Sequence, residues 1–266
     1  TYPDYYLLIM TLLIAQLVEL LGQFIWPLVR VSAVLLAGPF FSLAAVNLRV
    51  RISIVLVLTW MIYPLIEVPN INPFSFGAVV GILHEVLVGG LMGLTLQVVI
   101  ASLVVGGQAV AGSMGLSMAN MIDPNFGNVP TIAQFFLIIG TLLFLALGGH
   151  LIIISLLVSS FELLPIASGI FSTDMILSLI SWSSHMFIGA AMIAFPIMTG
   201  LLLINSLLGL VSRAAPSLNV FAIGFPALIP VGLGMLLITM AIWVEHVENL
   251  WYLGFNRMTG IIQGAI

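Results

Sequence analysis

Four histidines, His84, His150, His185 and His246, are the first residues to test for chemistry in this chain. No two stand at the i, i+4 spacing by which one helix face grips a metal, and no Glu-x-x-His occurs. His84 and Glu85 are adjacent, but helix neighbours point about 100° apart, so no dyad is expected there. Ser117 lies in Gly115-Leu-Ser-Met-Ala119, which lacks the second glycine of a nucleophile elbow. Without lysine, a Gly-x-x-x-x-Gly-Lys phosphate loop cannot be written. Without cysteine, disulfide, thiolate and cysteine–metal chemistry are excluded. These residues support neither an enzyme nor a cofactor.

The remaining polar residues are set among apolar ones. Gly77, Gly81, Glu85, Gly89, Gly93, Gln97 and Ala101 recur at a strict spacing of four. Four exceeds the helical repeat of about 3.6, so the stripe winds right-handedly around its helix. Small residues at this spacing let backbones approach closely. The stripe predicts an interhelical packing groove with Glu85 and Gln97 bonded inside it; a carboxylate lining an aqueous pore is the other reading. A second polar face, Glu19, Gln23, Trp26 and Arg30, forms if 19–30 is one helix, although Pro27 can kink it. Arginine in an apolar helix is costly and is usually paired. Arg30 is expected to pair with a neighbouring subunit rather than to conduct.

Residues 106–124 are unusual. Gly106, Gly107, Gly112 and Gly115 mix with Met114, Met118 and Met121 between a long apolar run and a polar loop. Each glycine costs a helix about 1 kcal/mol against alanine, so irregular backbone is expected from Gly106 onward. Irregular backbone at membrane depth survives only inside protein or beside water. Methionine is unbranched and deformable, so these three suit a soft seal. A connecting loop with ordinary core methionines is the plainer reading.

The elements that must carry these residues are apolar throughout. Hydrophobic residues make up 62% of 266 and charged ones only 5%, where a soluble domain carries about a quarter. Mean hydropathy is +1.32. The cations are only Arg30, Arg49, Arg51, Arg213 and Arg257, and the net charge is −4, which argues against nucleic acid. Thr1 to Tyr6 lack the basic leader of a secretory signal, so the first apolar run is expected to be retained. The sequence reads as an all-α integral membrane protein, one domain over 1–266, with eight or nine helices. Candidates are 5–21, 24–46, 51–66, 77–105, 131–147, 150–164, 175–211, 220–244 and an amphipathic tail near 245–259. A full span takes roughly 20 apolar residues, so 51–66 and 150–164 are short, which favours burial in a larger assembly. Asn47 to Arg51 carries two arginines and is the first candidate for a cytoplasmic turn. Residues 186–211 and 220–244 form a helical hairpin whose second arm should bend at Pro226, Pro230, Gly232 or Gly234. Arg213 near its tip can meet lipid phosphate, a partner carboxylate or helix C-terminal carbonyls.

Two stretches resemble a known family. One is Gly107-Gln-Ala-Val-Ala-Gly-Ser-Met-Gly-Leu-Ser-Met-Ala119 with Asp123-Pro124, Ala133-Gln-Phe135 and Gly149-His-Leu151. The other is Phe161-Glu-Leu-Leu-Pro165, then Leu210-Val-Ser-Arg-Ala-Ala-Pro-Ser-Leu-Asn219 and Gly224-Phe-Pro226. In order and over almost the whole chain, these are similar to the FliR family of flagellar biosynthetic proteins, and more distantly to its injectisome counterparts. The first seventy residues match only in hydropathy. The resemblance implies a non-enzymatic subunit of a type III export gate. It implies FliP- and FliQ-type partners, and an FlhB-type one, around a closed pore for unfolded flagellar proteins. It implies an inner-membrane complex in the flagellar basal body, in contact with lipid. It further implies a FliP-like part over 1–185, whose loop 106–123 plugs the pore, and a FliQ-like hairpin and tail over 186–266. Carried over, Met114, Met118 and Met121 line that plug. The alternatives are an injectisome subunit, or a stand-alone secondary transporter with Glu85, Gln97 and the broken 220–244 helix as substrate site. No convincing internal repeat supports the transporter.

Overall fold

A computed structural model of the chain describes residues 2–39, 47–69, 75–116, 131–166, 173–214 and 220–263. The helices are α1 (Tyr2–Ala37), α2 (Leu48–Ile62), α3 (Phe76–Ser113), α4 (Thr131–Ala146), α5 (Gly149–Leu163), α6 (Thr173–Ser183), α7 (His185–Ala214), α8 (Val220–Ile238) and α9 (Met240–Ile262). No strand occurs among the described residues. The all-α expectation holds. Among the described residues, three helical stretches, Leu48–Leu65, Phe76–Ser113 and Thr173–Ala214, are long and apolar enough to cross a membrane; the number rises to five if each of two bent helix pairs is one span.

Helix boundaries follow local chemistry. Asn47 caps α2, its Oδ1 accepting from the Arg49 N–H at 3.2 Å. Pro64 then tightens the end of α2 into a 3-10 turn, Tyr63–Leu65. Ser75 caps α3, its hydroxyl and carbonyl oxygens both accepting from the Ala78 N–H. Where two helices are expected before residue 46, α1 runs unbroken through Pro27. A proline removes one N–H, and the buried Trp26, Arg30, Val31, Val34 and Leu35 hold that face in place.

Two other expectations are corrected. The backbone does not become irregular at Gly106: α3 continues through Gly106, Gly107 and Gly112 to Ser113. Gly106 and Gly107 serve close contact. A Cβ on Gly107 would stand 2.5 Å from the Ala133 Cα, and one on Gly106 3.1 Å from the Ala190 carbonyl oxygen. The second hairpin arm also stays helical through Pro230, Gly232 and Gly234, and breaks by 63° at Thr239 instead. There Thr239 Oγ1 donates to the Met235 carbonyl at 2.8 Å and Trp243 Nε1 to the Leu236 carbonyl at 3.1 Å. The Met235 carbonyl also keeps its backbone bond from the Thr239 N–H at 2.9 Å, while the Trp243 indole supplies a side-chain donor to the Leu236 carbonyl at the break.

The chain divides into two compact units: Thr1–Gln97 with Leu151–Leu179 and Arg257–Ile266, and Val98–His150 with Ile180–Asn256. In the first, α2 packs back on α1, and the Phe24 ring lies 6.0 Å from that of Tyr63. In the second, α7 and α8 pack on each other, Gly200 receiving the Met235 side chain. Its core carries an aromatic series. Phe136 meets Trp243 edge-on at 5.0 Å, Phe144 meets Trp251 at 5.0 Å, and Trp251 Nε1 donates to the Gly140 carbonyl at 3.1 Å.

Candidate functional site

Two places gather the residues that the sequence singles out, one in each unit. In the first unit, Arg30 of α1 is fully buried. Its Nε donates to Glu85 Oε2 at 2.6 Å and its Nη2 to Oε1 at 3.0 Å. Nη1 donates to the Ser160 carbonyl at 2.8 Å and reaches Ser160 Oγ at 3.2 Å, while Nη2 also donates to the Leu164 carbonyl at 2.8 Å. All five guanidinium N–H groups therefore have acceptors. The group lies 4.2 Å above the Phe161 ring centroid, a cation–π geometry. Ser160 lies in the last turn of α5 and Leu164 just past its end, where the helix dipole favours a cation. One arginine joins α1, α3 and α5.

The expectation that Arg30 serves a neighbouring subunit is corrected, since it is satisfied within its own chain. So is the reading of His84 and Glu85. His84 Nδ1 lies 3.1 Å from Glu85 Oε1. Backbone direction separates the two residues by about 100°, but Glu85 is long enough to swing its carboxylate to Arg30, and the His84 ring reaches it there. Both oxygens of Glu85 are thereby engaged. On the Glu19 face, Glu19 is exposed, Gln23 Oε1 accepts from the Tyr63 hydroxyl at 2.9 Å, and Trp26 is buried.

Over the middle of the stripe, backbones approach closely. A Cβ on Gly89 would stand 2.6 Å from the Arg30 carbonyl oxygen, and one on Gly93 2.8 Å from the Gly38 nitrogen. Gly81 is buried and Gly77, in the first turn, is exposed. Gln97 departs from expectation: its Oε1 is buried without a hydrogen-bond partner among the described residues.

In the second unit, α3 ends at Ser113 and a turn follows through Met114 to Gly115, whose φ of 80° is the left-handed conformation common just past a helix end. The Gly115 N–H bonds to the Gly112 carbonyl at 3.0 Å. Met114, one residue earlier, is only 1% exposed and its side chain fills the space beside Gly232 of α8. A lumen-facing Met114 is thus corrected. Met118 and Met121 lie outside the described residues. Arg213 is exposed in the last turn of α7, and the hairpin tip 215–219 also lies outside them.

Sequence reasoning did not find Ser160, Phe161 or Leu164 as partners of Arg30, nor Gly232 as the partner of Met114. Two of the first three fall within Phe161-Glu-Leu-Leu-Pro165, already notable for its resemblance. Gly232 had no signal beyond being a glycine in a helix. Among the described residues, no three of His, Cys, Asp and Glu converge as metal ligands would.

Residues 21–253 match the family described as bacterial export proteins, family 1. The chain belongs to the FliR family of these proteins. Among its relatives, the flagellar biosynthetic protein FliR of Escherichia coli (strain K12) is 34% identical over 248 residues, 93% of this chain and 95% of the relative. FliR of Pectobacterium carotovorum is 36% identical over 235 residues, covering 87% and 90%. FliR of Bacillus subtilis, a more distant relative, is 28% identical over 251 residues, covering 93% and 97%. This FliR-family chain is an all-α membrane protein, and its outward apolar residues agree with that. Trp60, Phe195 and Ile238 are 74%, 67% and 79% exposed, surfaces that only lipid or protein covers at low cost.

Proposed function

We propose that this chain is a non-enzymatic subunit of the flagellar type III export gate in the bacterial inner membrane, at the basal body. With FliP- and FliQ-type subunits, and next to an FlhB-type one, it forms a closed pore for unfolded flagellar proteins. Residues 1–185 supply the FliP-like part and 186–266 the FliQ-like hairpin and tail. The segment beginning at Gly115, with Met118 and Met121, seals the pore and is displaced when a chain passes. Arg213 at the hairpin end contacts lipid phosphate or a partner carboxylate.

The observation that carries this reading is the abrupt stop of α3. After 38 residues of apolar helix, a left-handed glycine follows the helix end within the Gly/Met-rich stretch, in a protein of an export family. The flagellar assignment is supported by the flagellar names of the relatives. The test is removal of residues 116–121, which keeps the Gly115 stop, with the complete set of gate subunits expressed together. Ion flux across the membrane should rise while the complex still assembles. Unchanged flux with normal assembly overturns the plug.

A further inference from the structure

We infer that a pocket formed by the chain leaving α2 and the end of α5 receives an arginine or lysine side chain from another subunit of the assembly. Those other subunits come from the export-gate reading above, on which the inference rests; it adds one place where they bind. The pocket has a volume of about 550 Å³. Leu65, Ile66 and Val68 line it from the first segment and Phe161, Pro165 and Ile166 from the second, all within one compact unit. Two acids, Glu67 and Glu162, stand among these apolar walls. The backbone on both sides is held. Pro64 sits in the 3-10 turn, Ile66 is extended, and Val68 precedes Pro69, which keeps it from returning to helix. Opposite, the Arg30 guanidinium lies over Phe161 and donates to the Leu164 carbonyl just before Pro165.

The two carboxylates lack a cation. Both are exposed, and among the described residues neither has a hydrogen bond or an ion pair. The chain is short of candidates. It has no lysine, Arg30 is fully bonded, and Arg257 is engaged with other residues. Arg49 and Arg51 open the far end of α2, roughly 20 Å along that helix. Arg213 ends α7. The residues outside the described ones contain no lysine, arginine or histidine. Covering two unpaired carboxylates is costly unless the covering group brings positive charge.

The walls decide the class of cation. A bound calcium ion takes about six or more oxygen ligands, whereas this lining offers two carboxylates among apolar side chains. An ethanolamine lipid head would bring its phosphate, for which the pocket has no partner. Lysine and arginine carry a methylene stem beneath the charge, which suits apolar walls with exposed carboxylates.

A photo-crosslinker reads the occupant. Leu65 is exposed and lines the pocket. It is replaced by p-benzoylphenylalanine in a chain co-expressed with the complete set of gate subunits, and adducts are mapped by peptide mass spectrometry after irradiation. The adduct should fall on another gate subunit, in a peptide that carries arginine or lysine. Glu67→Lys with Glu162→Lys should weaken it by about tenfold or more, because like charges facing each other across an interface are strongly unfavourable. Glu67→Gln with Glu162→Gln should weaken it less. Changing the mapped cation to glutamate in the double-lysine background should restore it. All variants are compared at equal membrane level; both glutamates are exposed, so their replacement leaves the core untouched. Adducts to lipid alone, no adduct in an assembled complex, or a protein adduct indifferent to the charge changes overturns the inference while the export-gate reading stands. If the parental chain does not co-purify with gate subunits at all, that reading falls, and the pocket's assignment with it.

Discussion

Arg30 and Glu85 meet through two parallel hydrogen bonds, Nε to Oε2 and Nη2 to Oε1, with neither side chain exposed to solvent. The fork of a guanidinium matches a carboxylate in this way, and an ammonium does not. The remaining donors close on the Ser160 carbonyl of α5 and the Leu164 carbonyl just after it, so the charge pair is bonded on every side. Such a pair adds little net stability over a well-packed apolar replacement, but breaking it strands a buried charge.

Removing either partner should therefore be costly and removing both should be mild. Arg30→Ala or Glu85→Ala is expected to destabilise the first unit by about 3–5 kcal/mol. Arg30→Met with Glu85→Leu should recover most of that loss. Arg30→Lys should behave like the alanine variant, because one ammonium cannot serve Glu85, Ser160 and Leu164 together. Thermal unfolding of the detergent-solubilised gate complex checks the order. A single variant as stable as the double one would show that the ion pair is not what joins α1, α3 and α5.

The glycines of α3 should separate sharply by position. Gly89→Ala sets a Cβ against the backbone of Arg30 and the Ala33 methyl, and backbone cannot yield cheaply. It should cost about 1–3 kcal/mol, as overpacking does. Gly90, next in sequence, has open space, so Gly90→Ala should be neutral or add up to about 1 kcal/mol through helix propensity. The steady-state level of each variant in membranes, followed by its unfolding temperature, reads the difference.

What the sequence disclosed tracks the range of the forces involved. The stripe was legible because its spacing fixes a face, and a face of glycines has one cheap use. That Arg30 would be paired was legible, since a lone charge among apolar residues must be. Which group pairs it was not, because Glu85 and Ser160 lie 55 and 130 residues away and no local pattern couples them. Gly106 and Gly107 misled for the same reason. Helix propensity scores each glycine as a loss, while the compensating approach of Ala190 and Ala133 exists only in the folded chain. Pro230 and Gly232 likewise suggested a break that the backbone makes at Thr239.

The indole of Trp251 supplies a test of the second unit. Trp251→Phe keeps the ring contacts with Phe144 and Phe255 but leaves the Gly140 carbonyl without its side-chain donor. The expected loss is about 0.5–1.5 kcal/mol, the net worth of one hydrogen bond. Trp251→Ala removes a fully buried ring and should cost about 3–5 kcal/mol. Unfolding midpoints of the two variants check whether packing or the hydrogen bond dominates there.

Gly115 and Gly148 provide a matched pair for the proposed seal. Both hold positive φ, 80° and 68°, so alanine at either strains the backbone by a similar amount, of order 1–3 kcal/mol. Gly148 joins α4 to α5 and has open space around it, whereas Gly115 stops α3 beside Met114. Gly115→Ala favours continuation of the helix by one or more residues, which redirects the chain that follows. Gly148→Ala imposes the strain without touching that segment. Ion flux through the assembled gate should rise for Gly115→Ala and stay at the parental level for Gly148→Ala, with both proteins present in equal amount. Equal flux in the two variants would mean that backbone strain in general is being read. A rise confined to Gly115→Ala ties the seal to the place where α3 ends.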